Sequence, residues 1–382
     1  MIELSEEQKT IVYTREPFSF VLAGAGSGKT RVIIERINHL LSNGVLPQTI
    51  LAITFTNKAA EEMRERLGIR NVYISTFHSF CYQHISFMIN KSIIDPLELN
   101  DFSKNELLSI ALYKNSHFKG RAPAVFQRYQ LYLHMHNRID FDDIFLLFIE
   151  HVISSNLLYK YIFIDEFQDT NKLQYEVLQK IVKDDCVVMA VGDPNQSIYG
   201  FRGTEAHIIS TYIKDYKAMV YTLMDNYRSA IEVIDFANYL MHNEHSVMQQ
   251  KLNINGIVRI VQIDNKSEEL NYVQNVINNT NYAKSIGVLY REHSCGYMVK
   301  SGVDFLYHNS VSTISIHESK GLEFDVVILL DTNDYVYHRN HETHDEALEE
   351  MRLFYVAVTR AKYELHILIN RSFGSALRYL KI

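Results

Sequence analysis

Apolar positions along the chain fall into two kinds of run. Short, nearly continuous ones, SFVLA (19–23), ILAITF (50–55), YIFID (161–165) and VVMAVGD (187–193), read as strands covered on both faces. They alternate with longer stretches in which apolar residues recur at helical spacing, such as RVIIERINHLL (31–41). This alternation predicts an α/β fold with parallel sheets and ligands at the strand ends. A second set, VRIVQI (258–263), SIGVLY (285–290), VVILLD (326–331) and ELHILIN (364–370), predicts a second domain of the same kind after about residue 222. Between Cys81 and Leu158 the pattern is helical, with interleaved aromatic and basic residues. There is no repeat, no low-complexity tract and no Pro/Gly/Ser-rich linker; with 5 prolines, the domains must meet through compact junctions.

Composition narrows the classes. At 382 residues the chain can hold two or three domains with sizeable cores. Its 47% hydrophobic and 22% charged content is ordinary for a soluble globular protein. Cys81, Cys186 and Cys295 are odd in number and far apart, which fits a reducing compartment and argues against disulfides or a thiolate metal site. The opening MIELSEEQKT is not a signal segment, and no apolar run approaches about 18 residues. A cytoplasmic protein without membrane association is expected. The net charge of −7 argues against indiscriminate coating of duplex nucleic acid, though a channel can be locally basic.

The candidate chemistry begins at AGAGSGKT (23–30), between an apolar strand and an amphipathic helix. Ala23, Gly24, Ala25, Gly26, Ser27 and Gly28 are small enough for backbone N–H groups to curl around phosphates at a helix N-terminus. Lys29 would then reach the β- and γ-phosphates of ATP, and Thr30 would ligate Mg²⁺. Ala23 stands where the pattern usually has glycine. In YIFIDEFQDT (161–170) a strand ends in Asp165 and Glu166, beside the phosphate loop. Asp165 can hold the Mg²⁺ and Glu166 can polarise the attacking water. Arg228 in MDNYRSA and Arg360 in YVAVTRAK can offset charge developing on the γ-phosphate. VGDPNQSIYGFRGT (191–204) runs from a buried strand into a polar turn, then presents Tyr199, Phe201 and Arg202. Taken singly, each has a plain alternative: a ligand-free turn, a solvated acidic strand end or a surface ion pair. Their company favours the nucleotide reading.

Taken in order, LSEEQ, AGAGSGKT, ITFTNKAAEEMRERL, STFHSF, FIDEFQDT, VGDPNQSIYGFRG, NYRS, IGVLYR, IHESKGLEFDVVIL and EEMRLFYVAVTRAK resemble the motifs of superfamily 1A DNA helicases of the UvrD/Rep/PcrA type. The similarity runs from end to end. It implies two RecA-like P-loop NTPase domains with ATP between them, single-stranded DNA crossing both, and 3′→5′ translocation. The implied plan is motor domain 1A over 1–80 and 159–222, a reduced helical 1B insertion over 81–158, and motor domain 2A over 223–382. By the same resemblance Gln8 reads the adenine, Gln196 senses the phosphate and Glu323 meets the ribose. Phe55, Asn57, Lys58, Phe77, His78, Tyr199, Phe201, Arg202, His317 and Lys320 are the implied DNA contacts. Phe55 and Phe77 follow β-type runs, so their rings could meet bases, although core packing accounts for an aromatic there equally well.

The departures matter. Family members usually carry a large 2B subdomain after VLYR, whereas here EHSCGYMVKSGVDFLYHNSVSTISIH leaves room for only a connection or one hairpin, at about 294–311. Phe201 stands where the family commonly has Trp, and Ser315 where it commonly has Thr. YHRNHETH spaces His338, His341 and His344 by three, and reads more readily as a polar loop than as a metal site. IDFDDI (139–144) reads as helix capping or positioning rather than as a two-metal nuclease. The expected activity is an ATP-dependent translocase or helicase acting on single-stranded DNA or a 3′-tailed duplex, with RNA less favoured. The alternative is a DNA-sensing ATPase subunit of a multi-protein repair or antiviral defence complex with a nuclease partner. Such a subunit would resemble the compact helicase-like subunits of systems such as Gabija, and its own unwinding would be weak.

Overall fold

The computed structural model describes residues 3–69, 71–153, 157–199, 207–241, 247–280, 283–303, 310–330, 332 and 344–370, with backbone only at 344–347 and 370. The chain divides into two compact units. The first is Met1–Leu22, Lys29–Asp193 and Tyr199–Leu223; the second is Ala23–Gly28, Pro194–Ile198 and Met224–Ile382. The first unit ends at Leu223, and the second takes up the chain from Met224. Two short segments that pattern alone assigns to the first domain, 23–28 and 194–198, belong to the second unit.

The first unit runs α1 (Glu6–Val12), β1 (Phe18–Ala23), α2 (Lys29–Ser42), β2 (Ile50–Thr54), α3 (Asn57–Leu67), β3 (Tyr73–Thr76), α4 (Phe77–Ile85), β4 (Ser92–Ile94), α5 (Lys104–Asn115), α6 (Phe126–Met135), β5 (Arg138–Asp140), α7 (Phe141–His151), β6 (Tyr161–Ile164), α8 (Lys172–Ile181), β7 (Val187–Gly192), α9 (Ile208–Tyr216) and β8 (Met219–Leu223). Six strands form one sheet in the order β3-β2-β6-β7-β1-β8. The pairs β3–β2, β2–β6, β6–β7 and β7–β1 are parallel. Every residue of β2 is buried, which is why its sequence is a continuous apolar run rather than an alternation. Helix starts are written locally. Ser5, Ser103, Asp140 and Asn171 cap α1, α5, α7 and α8, and Gln8, Glu106, Asp143 and Gln174 return the bond as capping boxes.

The main core of this unit joins Phe20, Ile53, Phe80, Phe148, Phe167 and Val188. The stretch between α4 and α7 has a small core of its own around Phe102, Ile110, Tyr129 and Leu133. That stretch is not purely helical: β4 and β5 form a parallel pair within it. Three-residue strands are too short to register as a period.

The second unit runs β9 (Asp225–Asn226), α10 (Ile231–Leu240), β10 (Gln249–Gln250), β11 (Ile257–Ile263), α11 (Lys266–Asn279), β12 (Ile286–Tyr290), α12 (His293–Gly302), β13 (Val311–Ser315), β14 (Phe324–Leu329), α13 (His344–Val358) and β15 (Ala361–Asn370). Five strands form a second parallel sheet in the order β11-β15-β14-β12-β13. Its core includes Val273, Val288, Val299, Ile328 and Leu368. Strands β12 and β13 are parallel neighbours, and α12 is the described element between them. Adjacent parallel strands need a crossover connection, usually built on a helix. No helix among the described residues is long and apolar enough to cross a membrane.

Candidate functional site

In the first unit the acidic pair meets the residues that follow the glycine-rich turn. Lys29 and Thr30 form the first turn of α2, a 14-residue helix whose N-terminus favours negative charge. Thr30 Oγ1 donates to Asp165 Oδ2 at 2.8 Å, and Lys29 Nζ lies 3.5 Å from Glu166 Oε1. In the sheet, β7 lies between β1 and the strand bearing Asp165. The longer reach is spanned by side chains. Asp165 is buried, and burial, followed by repulsion from Glu166, pushes its carboxyl up to about 6 against the opposing pull of Lys29 and Thr30. A buried carboxylate beside a threonine hydroxyl, short of compensating positive charge, suits a hard divalent cation such as Mg²⁺. Glu166 sits at φ 54, in the left-handed region that non-glycine residues avoid. Such strain persists where surrounding contacts over-determine the conformation. Gln168 supplies one of them, with Nε2 donating to Glu166 Oε2 at 2.6 Å.

In the second unit the segment 23–28 is cradled by the residues around Arg228. Asn226 Nδ2 donates to the Ala25 carbonyl at 2.7 Å, and the Tyr227 N–H donates to the Gly26 carbonyl at 2.9 Å. Gly26 lies at φ 69, and a Cβ there would come within 2.7 Å of Arg228 Cβ, so only glycine fits. Arg360 is buried; its guanidinium donates to Gln196 Oε1 at 3.1 Å and to the carbonyls of Val356 and Leu322. Lys320 Nζ donates to the Gln196 carbonyl at 2.7 Å. Arg228 Nε donates to Glu323 Oε2 at 2.8 Å, and Lys362 pairs with the other oxygen of that carboxylate at 2.5 Å. Burial alone would raise the Glu323 carboxyl, but Lys362 and Arg228 outweigh it and hold the carboxyl below its ordinary value.

The candidate strand contacts divide. Phe55 and Tyr199 stack on each other with ring centroids 4.9 Å apart and planes at 24°. Asn57 and Lys58 open α3 and are exposed, and Asn57 Oδ1 accepts from Ser79 Oγ at 3.4 Å. His78 is half-buried against Phe141 and Phe145. His317 is half-buried in the turn after β13. Phe77 is a correction: it is 6% exposed and belongs to the main core, so its ring face is spent on packing. Gln8 is buried and serves as the return half of the α1 capping box. Phe201 and Arg202 lie outside the described residues, as do His338 and His341 and the side chain of His344. Among the described residues there is no group of three or more His, Cys, Asp or Glu that could hold a metal.

Pattern reasoning missed four residues. Gln168 and Asn226 stood inside quoted motifs without a role. Lys362 stood in the quoted run YVAVTRAK without one. Lys114 carried no signal, since a lysine on a helix ordinarily faces water. Here it is fully buried, donating to Asp140 Oδ2 at 2.7 Å and Asp143 Oδ1 at 2.6 Å, with Tyr129 donating to Asp140 at 2.6 Å. The acidic IDFDDI string therefore caps α7 and anchors α5.

Comparison with known proteins adds the following. A family model described as an AAA domain matches residues 8–202, more than half of the chain, and one described as a UvrD-like helicase C-terminal domain matches residues 298–372. A probable DNA helicase of Mycoplasma pneumoniae is 30% identical over 448 aligned positions, covering 96% of this chain and 83% of the relative. That alignment is longer than the chain, so the relative carries residues with no counterpart here. The ATP-dependent DNA helicase PcrA of Leuconostoc citreum is 31% identical over 83% of this chain, and that of a Staphylococcus aureus strain 34% identical over 63%. The chain spans 48% and 40% of those two relatives.

Proposed function

The chain belongs to the UvrD/PcrA-like helicases of superfamily 1, and we propose that it couples ATP hydrolysis to movement along single-stranded DNA. Family membership makes it an enzyme of the ATP-hydrolysing DNA-helicase class. The observation that carries the proposal is the convergence of Lys29, Thr30, Asp165 and Glu166 in one cluster. In this reading residues 23–30 wrap the ATP phosphates, Gln8 meets the base and Glu323 the ribose. Thr30 and Asp165 would hold Mg²⁺, which would draw charge from the phosphates. Glu166 orients the attacking water and accepts its proton. Gln196, held by Arg360, senses the γ-phosphate, and Arg228 and Arg360 offset its developing charge.

The strand is gripped by the Phe55–Tyr199 pair, whose rings must part to admit a base between them, and by Asn57, Lys58, His78, Phe201, Arg202, His317 and Lys320. A cytoplasmic setting and 3′→5′ polarity belong to the same reading. The domain plan of two motor domains with a reduced 1B insertion at 81–158 is part of it. Strand displacement on 3′-tailed, 5′-tailed and blunt duplexes tests it: activity confined to 3′ tails supports the polarity, and equal or 5′-preferring activity contradicts it.

One observation favours a second reading. Where the family usually inserts the 2B subdomain, β12 and β13 are parallel neighbours with α12 as the described element between them. A motor reduced in this way would suit a DNA-sensing ATPase subunit of a repair or defence complex, with unwinding supplied or used by a nuclease partner. Strong DNA-stimulated hydrolysis with negligible strand displacement by the isolated chain would favour this reading. Vigorous unwinding by the chain alone would exclude it.

A further inference from the structure

We propose that Gln168 is a positioning residue that ties Glu166 to the segment leading to Tyr199, so that DNA occupancy at the Phe55–Tyr199 stack adjusts the glutamate; this rests on the motor reading above. Gln168 is 2% exposed and sits in the turn after β6, two residues past Glu166. Its amide is used at both ends. Nε2 donates to Glu166 Oε2 at 2.6 Å, and Oε1 accepts the backbone N–H of Asp193 at 3.0 Å. Only a side-chain amide offers a donor and an acceptor on one planar group at neutral pH without a titrating proton.

Each end of this link meets a structure that can move it. On one side, Glu166 is held at φ 54, so its carboxylate takes its position from neighbours rather than from a relaxed backbone. Lys29 lies near one carboxylate oxygen and Gln168 holds the other. On the other side, Asp193 is the first residue beyond β7, and six residues further along the chain Tyr199 stacks on Phe55. β7 also presses on the turn. A Cβ at Gly192 would lie 2.7 Å from Gln168 Oε1, closer than real Cβ atoms come. A base that parts the two rings displaces Tyr199, and the pull reaches Asp193 through residues 194–198, against the hold that Lys320 and Arg360 keep on Gln196. Gln168 then passes it to Glu166 through two hydrogen bonds. Both glutamate oxygens are restrained, one by Lys29 and the other by Gln168; strand binding changes the second restraint and leaves the first in place.

The test is steady-state ATP hydrolysis by the full chain with and without oligo(dT), for wild type, Gln168→Ala, Gly192→Ala and the double variant. Gln168→Ala and Gly192→Ala are each expected to bring the ratio of stimulated to basal kcat to within about twofold of one, with the KM for ATP within about twofold of wild type. In the Gln168→Ala background the clash with Oε1 is gone and only the backbone nitrogens of Gln168 and Phe167, at 3.3 and 3.4 Å, remain, so most of the Gly192→Ala effect on the ratio should disappear. Gln168→Glu keeps the acceptor for Asp193 and loses the donor to Glu166. It is expected to lose stimulation too, and it serves if Gln168→Ala does not fold. An unstimulated wild type overturns the motor reading and this inference with it. A stimulated wild type whose Gln168 variants are equally stimulated overturns the inference alone. So does a Gly192→Ala effect that persists in full in the double variant, or a KM that rises in step with the lost rate.

Discussion

Replacing Lys114 by methionine should be among the most damaging single changes in the first unit. The substitution keeps most of the side-chain length and removes the cation from between Asp140 and Asp143, which it now meets at 2.7 and 2.6 Å. Burial would lower the Lys114 pKa, yet the two carboxylates outweigh it and raise it above its ordinary value. Burial likewise works against the Asp140 carboxylate, and Lys114 is the first group to offset it, holding Asp140 below its usual value. Breaking a buried ion pair by removing one partner typically costs about 3–5 kcal/mol, because the remaining charge is left without compensation. Tyr129 still donates to Asp140, which favours the lower end of that range.

The penalty should depend on pH. In wild type, Asp140 is depressed, so its contribution is present above the unfolded value near 3.8 and is lost only as pH falls through the lower folded value. Without the lysine, burial leaves Asp140 raised, and protonation relieves it as pH falls. The destabilisation should therefore be larger at pH 8 than at pH 5. The chain has no tryptophan, so urea unfolding is best followed by far-ultraviolet circular dichroism. Adding Asp140→Asn and Asp143→Asn should recover much of the loss, since neutral asparagines need no cation and Asn still caps a helix. A Lys114→Met loss below about 1 kcal/mol, the range of an exposed pair, would refute the argument from burial.

Other outcomes follow from the same geometry. Phe77→Ala should lower unfolding stability by about 3–5 kcal/mol as a core cavity forms; a stable variant with selectively weakened DNA binding would restore the ring as a DNA contact. Tyr199→Ala should weaken single-stranded DNA binding by about 1–3 kcal/mol, measured by fluorescence anisotropy, with nucleotide affinity retained. Asp165 should make the Mg²⁺-free protein less stable as pH rises from near 3.8 through about 6, because its folded carboxyl is raised and the folded state binds the extra proton. Asp165→Asn should remove that component of the slope, of order 3 kcal/mol, and an identical pH profile in the variant would contradict the assignment.

The α/β organisation is legible because buried parallel strands cannot alternate: β2 and β14 are covered at every position and read as apolar runs. The glycine-rich turn and the Asp165–Glu166 strand end are legible for a different reason, since phosphate and cation chemistry restrict residue type at fixed spacing. What stays hidden depends on distance along the chain. Lys114 on α5 meets Asp140 at the end of β5, where it caps α7, and no period in the helices announces a buried lysine. The partnership of Gln196 with Arg360 joins positions 164 residues apart. Phe77 shows the converse. An aromatic at a strand-to-helix junction suits a base stack or a core equally, and packing decides.

The measurement closest to the central claim is steady-state ATP hydrolysis by the purified chain, with and without single-stranded DNA or RNA of equal length, for wild type, Lys29→Ala and Glu166→Gln. Mg²⁺-dependent hydrolysis stimulated by single-stranded DNA more than by RNA is expected. So is a loss of about 10²–10⁴-fold in kcat for Glu166→Gln, the range of a positioned general base. Hydrolysis indifferent to DNA and unaltered in both variants would contradict that claim.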